Sequence, residues 1–208
     1  MNAGLSNLAT LKGYLLPGTM QSDTQFDAKL ALIGLGVAGL METFCNRLFA
    51  YAAGDTVIFT GDRPHFYLPR YPFVSVAAVE MRYFDTDGWT AIDGQPIQTN
   101  PGTGLIQFGF EVGRRPLQVR VTYTGGYFYE TKESTDIGYP TAVPSGATAL
   151  PATVQLAWLT QCAEHWNKSD KLGAGLISEP DREAATGALK LSPGVREMLQ
   201  PFIRYQLT

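Results

Sequence analysis

The chain has 208 residues, 45% hydrophobic and 17% charged, a balance that excludes intrinsic disorder and fits one domain, or one domain with an elaborated insert. A formal net charge of −3 and a pI near 5.4 argue against general nucleic-acid binding, which draws on phosphate neutralisation by Lys and Arg, yet leave room for DNA to pass close by without sticking. Cys45 and Cys162 lie in apolar helical patterns without metal-type spacing and read as buried free thiols of a reducing cytoplasm. The start Met1-Asn2-Ala3-Gly4 lacks the basic region of a secretory signal, and Leu30–Leu40 is too short and glycine-rich to be expected to span a bilayer.

In chain order, Leu5, Leu8, Leu11, Leu15 and Leu16 sit at helical spacing, so a short helix is expected from about Leu5 to Leu16, ended by Pro17-Gly18. Ser22, Asp23 and Thr24 offer caps for a longer helix from about Phe26 to Ala52. Its broad apolar face carries Leu30, Ile33, Val37, Leu40, Met41, Phe44, Leu48 and Phe49. The first half is almost uncharged, and heavy burial is expected there, in the same subunit or against a neighbour. Inside it, Gly34-Leu35-Gly36-Val37-Ala38-Gly39 matches G-x-G-x-x-G. A dinucleotide site needs that motif between a strand and the helix it opens, with an acidic residue about 20 positions on. Helical periodicity continues through these glycines, so close helix packing is the preferred reading. A nucleotide-binding enzyme using this loop stays as a remote alternative.

From residue 55 the period changes to two. Asp55–Gly61 and His65–Pro69 are short strand candidates, and Val74–Phe84 is a longer one. Asp87-Gly88 and Asp93-Gly94 are hairpin turn signals around Trp89–Asp93, and Asn100-Pro101-Gly102 is a further turn before Gly104–Phe110. In Leu117–Tyr127, Leu117, Val119, Val121 and Tyr123 alternate with Gln118, Arg120, Thr122 and Thr124, a half-buried strand closed by Gly125-Gly126. A meandering antiparallel sheet of about five or six strands is predicted. Tyr127–Ala149 shows no period and reads as a long loop, functional or disordered. Leu150-Pro151 opens a helix to Trp166, with Val154, Trp158, Cys162 and Trp166 spaced by four and Leu159 and Ala163 beside them. Lys168–Lys190 is a second polar connection. Ser192 caps a last helix with a Val195, Met198, Leu199, Phe202, Ile203 stripe, kinked by Pro201.

The predicted fold class is α+β. A helical bundle (long N-terminal helix, Trp-bearing helix, C-terminal helix) carries an inserted antiparallel β-sheet region. Residues 1–54 form the N-terminal helical segment and 55–126 the β-rich insert. Residues 127–208 supply the long loop, a helix and the C-terminal tail, forming one composite domain with 1–54.

No catalytic constellation stands out, and no cofactor or metal is expected. No pattern links His65 or His165 to a nucleophile, Asp85 and Asp87 lack the further acidic ligands of a calcium loop, and Arg114-Arg115 reads as a solvated hairpin end. Tyr127-Phe128-Tyr129 reads equally as core or as a candidate interface, because aromatics also anchor contacts between proteins.

These features, with Leu8–Leu15, Met41–Phe49, Val121–Tyr127 and Leu191-Ser192-Pro193-Gly194-Val195-Arg196-Glu197-Met198-Leu199-Gln200-Pro201, resemble the head–tail connector (adaptor, or head-completion) proteins of long-tailed bacteriophages. The likeness covers roughly Leu5 to Tyr205, and the β-rich insert is larger than in the small, mostly helical members. The resemblance implies a non-enzymatic virion protein at the head–tail interface, made in the host bacterial cytoplasm. It implies a twelve-fold ring beneath the portal protein, which extends the channel for double-stranded DNA and serves as platform for a stopper or tail-terminator protein. It also implies portal docking by the C-terminal segment, here Val195, Met198, Leu199, Phe202, Ile203, Arg204 and Tyr205. Tyr127, Phe128 and Tyr129 are expected on a tail-side or inter-subunit contact, and no membrane is expected. A tail-terminator or minor tail protein ring is the alternative.

Overall fold

A computed structural model describes residues 3–60, 65–92, 97–108, 118–173 and 190–204. It is a mixed helix-and-sheet structure whose chain divides into two compact units. One gathers residues up to Asn46, Tyr129–Ala142 and Leu150 onward; the other gathers Arg47–Phe128 and Val143–Ala149.

The first unit holds four helices among the described residues: α1 (Leu8–Leu15), α2 (Asp27–Cys45), α3 (Ala152–Gly173) and α4 (Pro193–Leu199). Asn7 caps α1, its Oδ1 accepting the Thr10 N–H at 2.9 Å, so the helix starts three residues later than its leucine spacing suggests. In α2, Leu30, Ala31, Gly34, Val37, Ala38, Met41 and Cys45 are buried, a three-and-four spacing that puts one face inward. The expected caps fall just short of it. The Asp23 carboxylate accepts the Gln25 N–H instead, and α2 starts on Asp27, whose carboxylate takes the Lys12 ammonium at 2.7 Å. At the other end α2 stops well before Ala52. Asn46 adopts a left-handed φ of 50°, a conformation Asn tolerates at a helix end. Leu48 and Phe49 then run extended, with the Leu48 N–H donating to the Pro69 carbonyl and the Phe49 carbonyl accepting from Tyr127. A further correction concerns length: α2 is long and apolar enough, by length and composition alone, to cross a membrane. Its inner face packs as the core helix of a folded protein does.

That inner face meets α3. Trp158 is fully buried and its indole N–H donates to the Gly34 carbonyl at 2.9 Å. A Cβ on Gly34 would overlap the Ala3 carbonyl oxygen and press on the Trp158 ring. The glycine motif therefore lies in the middle of a helix, which removes the strand–loop–helix context of a dinucleotide site. Among the described residues, close packing within the motif holds at Gly34, while nothing stands within 4 Å of a Cβ at Gly36 or Gly39. Val154, Trp158, Cys162 and Trp166 are buried as their spacing requires. The helix runs on past Trp166, whose ring meets Phe26 edge-on at 5.4 Å and carries the Lys29 ammonium 4.6 Å above it.

The second unit contains β1 (Ala52–Thr60), β2 (His65–Tyr67), β3 (Phe73–Arg82), β4 (Thr90–Ala91), β5 (Ile97–Asn100), β6 (Leu105–Phe108), β7 (Gln118–Gly125), β8 (Tyr127–Phe128) and β9 (Thr148–Ala149). These strands do not form one meander. An antiparallel sheet runs β1-β7-β3-β4, a second runs β2-β6-β5, and β8 pairs with β9 in parallel. The β7 alternation is as expected: Val119, Val121 and Tyr123 are buried, and Val121 stands opposite both Val57 and Val79. These side chains pack with Phe66, Leu68, Phe73, Ile92 and Ile106 into one core. On the other face Arg120 lies opposite Glu80 and clasps its carboxylate with two bonds of 2.6 and 2.7 Å. The predicted strand start at Leu117, the Asp93-Gly94 turn, Gly109-Phe110 and Arg114-Arg115 lie outside the described residues.

Candidate functional site

The C-terminal segment begins with Ser192 in the N-cap position, but its side chain makes no capping bond. Instead its N–H donates to Gln161 Oε1 at 2.8 Å, which anchors α4 to the wholly buried Gln161 of α3. Val195 and Leu199 are fully buried in this unit. This corrects the expectation that they face a portal, since a side chain inside its own core offers nothing to a partner. Met198, Phe202, Ile203 and Arg204 are partly exposed, and Tyr205 lies outside the described residues. Pro201 sits in a short 3-10 turn, Gln200–Phe202, which turns the chain toward the end of α2. There the Arg204 N–H donates to the Cys45 carbonyl at 2.8 Å and its guanidinium reaches Asn46 Oδ1 at 3.3 Å. The last carbonyls of a helix lack intrahelical partners and carry partial negative charge, so an arginine belongs there.

Tyr127 is 9% exposed. Its N–H donates to the Phe49 carbonyl at 2.7 Å, and its ring stacks on Phe49 at 6.4 Å. The Arg47 guanidinium is buried among these rings, 3.4 Å from the Tyr71 centroid and 5.1 Å from those of Phe49 and Tyr127, and it donates to the Tyr71 carbonyl. A cation over aromatic faces is stabilised most when water is excluded. Tyr127 therefore belongs to an internal cage, which removes it from the predicted contact. Phe128 and Tyr129 remain partly exposed.

Residues 129–142 are ordered by their own polar groups, a feature the sequence reading missed. The Glu130 carboxylate accepts from the Thr141 N–H at 2.5 Å, the Thr141 hydroxyl at 2.8 Å and the Lys132 N–H at 2.8 Å. These donors, the Thr141 amide first, hold its carboxyl below the usual carboxylate range. Glu133 reaches the first turn of α1 and accepts from Leu8 and Ala9, while the Lys132 carbonyl accepts from Asn7 Nδ2. The Lys132 ammonium donates back to the Ile137 carbonyl. The tip so built presents Ile137, 98% exposed, and the partly exposed Tyr139.

The outer side of α2 is the second surface. Leu32 is 72% and Leu35 49% exposed, with Gly36, Gly39 and Thr43 exposed beside them. At 100° per residue Leu32, Gly36, Gly39 and Thr43 lie opposite Gly34, and Leu35 stands at the edge of that face.

The chemistry-bearing residues stay apart. His65 packs edge-on to Tyr67. His165 contacts Gln161 at 3.1 Å, and burial, with the Lys168 charge, pushes its pKa down. Asp85 pairs with Arg82 and Asp87 accepts the Phe84 N–H, so both serve a turn. Among the described residues no group of three His, Cys, Asp or Glu side chains is placed to hold a metal.

No family model matches the sequence, and no curated protein matches it. Solved structures do. A chain in the neck of an empty gene transfer agent particle, computed with C6 symmetry, superposes with a TM-score of 0.59 at 17% identity, covering 98% of this chain and 92% of that one. A chain in the virion of a native gene transfer agent particle gives 0.59 at 13% identity over the same shares. One in the native neck computed with C12 symmetry gives 0.52 at 14% identity, over 100% of this chain and 97% of that one. The chain therefore shares its fold with these gene transfer agent chains, two of them neck chains. More particularly, it is a fold found in the neck of a phage-like particle.

Proposed function

We propose that the chain is a structural, non-enzymatic virion protein at the head–tail interface. It forms a ring beneath the portal protein, extends the DNA channel and provides the platform for a stopper or tail-terminator protein. The observation that carries this reading is a likeness to neck chains over almost the whole of both partners, β-rich unit included. The pairing of cations in that unit supports DNA passing without adhesion: Arg70 with Asp55, Arg82 with Asp85 and Arg120 with Glu80 leave those arginines little charge to offer phosphates. Portal docking is assigned to Met198, Phe202, Ile203, Arg204 and Tyr205, and a tail-side or inter-subunit contact to Phe128 and Tyr129. The helices act as one bundle, residues 55–126 as the insert, and the protein is made in the host bacterial cytoplasm.

Electron microscopy of the chain co-expressed with its portal protein tests the reading. A ring of this chain stacked on the portal is expected. A bare portal under conditions that support head completion overturns it. Necks computed with both C6 and C12 symmetry share the fold, which keeps a tail-terminator ring as the second reading. A six-fold ring on the tail tube would establish that one, and a twelve-fold ring on the portal the first.

A further inference from the structure

The hairpin that joins β3 to β4 fixes its own turn and leaves two aromatic side chains in water. At its base the Trp89 ring has the Arg82 guanidinium 4.6 Å and the Arg120 guanidinium 4.5 Å from its centre. Arg120 is itself paired with Glu80 on the neighbouring strand. Arg82 reaches forward, donating to the Asp85 carbonyl at 2.9 Å and to the Asp85 carboxylate at 3.0 Å. Asp87 closes the turn. Its carboxylate accepts the Phe84 N–H, and its own N–H donates to the Phe84 carbonyl. On this support Tyr83 is 49% and Phe84 54% exposed, and neither belongs to the core of the β-rich unit.

Aromatic side chains held in place before binding suit an interface anchor. They cover a large apolar area, and no loop has to be ordered first. The charge around them narrows the partner. From Tyr83 to Ala91 the chain carries Asp85 and Asp87 and no Lys or Arg. Arg82, just below, has a side chain 20% exposed where that of Asp85 is 79% exposed, so the surface presented is acidic. Such a tip repels DNA phosphates and anionic lipid headgroups. That leaves a protein, and one whose slot for the two rings is rimmed by Lys or Arg. The β-rich unit of a second copy offers no such rim among its described residues, because Arg70, Arg82 and Arg120 are paired with carboxylates and Arg47 is buried.

We infer that the Tyr83–Gly88 tip docks Tyr83 and Phe84 into an apolar slot, rimmed by Lys or Arg, on another protein of the particle. This inference rests on the connector reading proposed above and adds to it a contact that neither the C-terminal segment nor Phe128 and Tyr129 supply.

The test uses the full chain. Thr86, between the two aspartates, is exposed, and Thr86→Cys gives it a thiol to label with benzophenone maleimide; native Cys45 and Cys162 are buried and stay out of the reaction. The labelled chain is joined to portal-bearing heads and tails made without it, and the particles are irradiated. A cross-link to a Lys- or Arg-rich segment of another particle protein is expected. A cross-link to a second copy, to DNA or to an acidic segment, or none in joined particles, overturns the tip contact and leaves the connector reading standing. Heads and tails that never take up the parent chain overturn both. Thr86→Lys and Phe84→Ser check the contact without cross-linking. The first meets the basic rim with like charge, and the second removes an anchor while keeping the backbone bonds to Asp87. Both variants should melt within a few degrees of the parent, since exposed substitutions shift stability little. The yield of joined particles should fall at least about tenfold, as the loss of an interface anchor requires. A yield equal to the parent's from both variants overturns the contact.

Discussion

Glycines that look alike in the sequence part company by what stands next to them. At Gly34 a methyl group would collide with the Ala3 backbone and the Trp158 ring, neither of which can swing away as the end of a flexible side chain can. Overpacking of this kind costs about 1–3 kcal/mol, so Gly34→Ala should lower the melting temperature. Gly36 meets nothing within 4 Å in the middle of α2, and Gly36→Ala should stabilise the monomer by roughly 0.5–1 kcal/mol through helix propensity. Paired thermal melts read both, and equal effects would contradict the packing described. The cysteines give a second prediction at this scale. Burial pushes the Cys162 thiol up to about 12 and Cys45 is buried as well. Since the thiolate is the reactive species, neither should be labelled by a thiol reagent at neutral pH until the protein unfolds. Burial of both cysteines was legible in the sequence. The Arg47 cage was not, because Tyr71 and Tyr127 come to that arginine only through strand pairing, and a lone arginine after a helix reads as solvated.

Elements were legible where their own period decides and illegible where a distant partner does. The alternation of Val119, Val121 and Tyr123 states which face of β7 is inside; it does not state that β7 lies between β1 and β3, since pairing is non-local. The stop of α2 is a nearer miss: an apolar spacing through Leu48 and Phe49 outvoted a single Asn46 that the backbone uses as a cap. Residues 129–142 show the opposite error, a segment without period that is ordered by side-chain bonds to its own backbone. Glu130 makes that order depend on pH. Its folded pKa lies below its ordinary value of 4.5, so its contribution is present above that value and is lost as pH falls through the folded pKa. The Thr141 amide should therefore lose protection, measured against the intrinsic exchange rate at each pH, as the medium is acidified below that ordinary value of 4.5. Glu130→Gln, of the same shape but uncharged, should speed that exchange at neutral pH with little change in the melting of the core. Unchanged exchange in the variant would show that the loop holds its shape without this carboxylate.

At the scale of the molecule, α2 serves two partners and leaves one face exposed: its inner face meets Trp158, its Cys45 carbonyl takes the Arg204 N–H, and the Arg204 guanidinium reaches the Asn46 side chain just past the helix. That economy changes how the C-terminal segment has to be tested. The sequence alone suggests that a chain ending before Ser192 stays folded and merely fails to join the portal. The structure predicts otherwise, because truncation removes Val195 and Leu199 from the core and deprives Gln161 of its Ser192 partner. Leu199→Ala alone should cost about 2–5 kcal/mol, so a truncated chain should melt well below the full one, and its failure to bind would report lost folding. The informative variant leaves the core in place. Met198→Asp together with Ile203→Asp alters partly exposed side chains flanking the 3-10 turn, and retains Val195, Leu199 and the Arg204 contact with Cys45. This double variant should melt within a few degrees of the parent, since substitutions away from the core shift stability little, yet portal binding measured by co-sedimentation should fall at least tenfold. Binding equal to the parent would move the portal contact off this segment. A collapse in melting temperature would show that these side chains, like Val195 and Leu199, belong to the helical core.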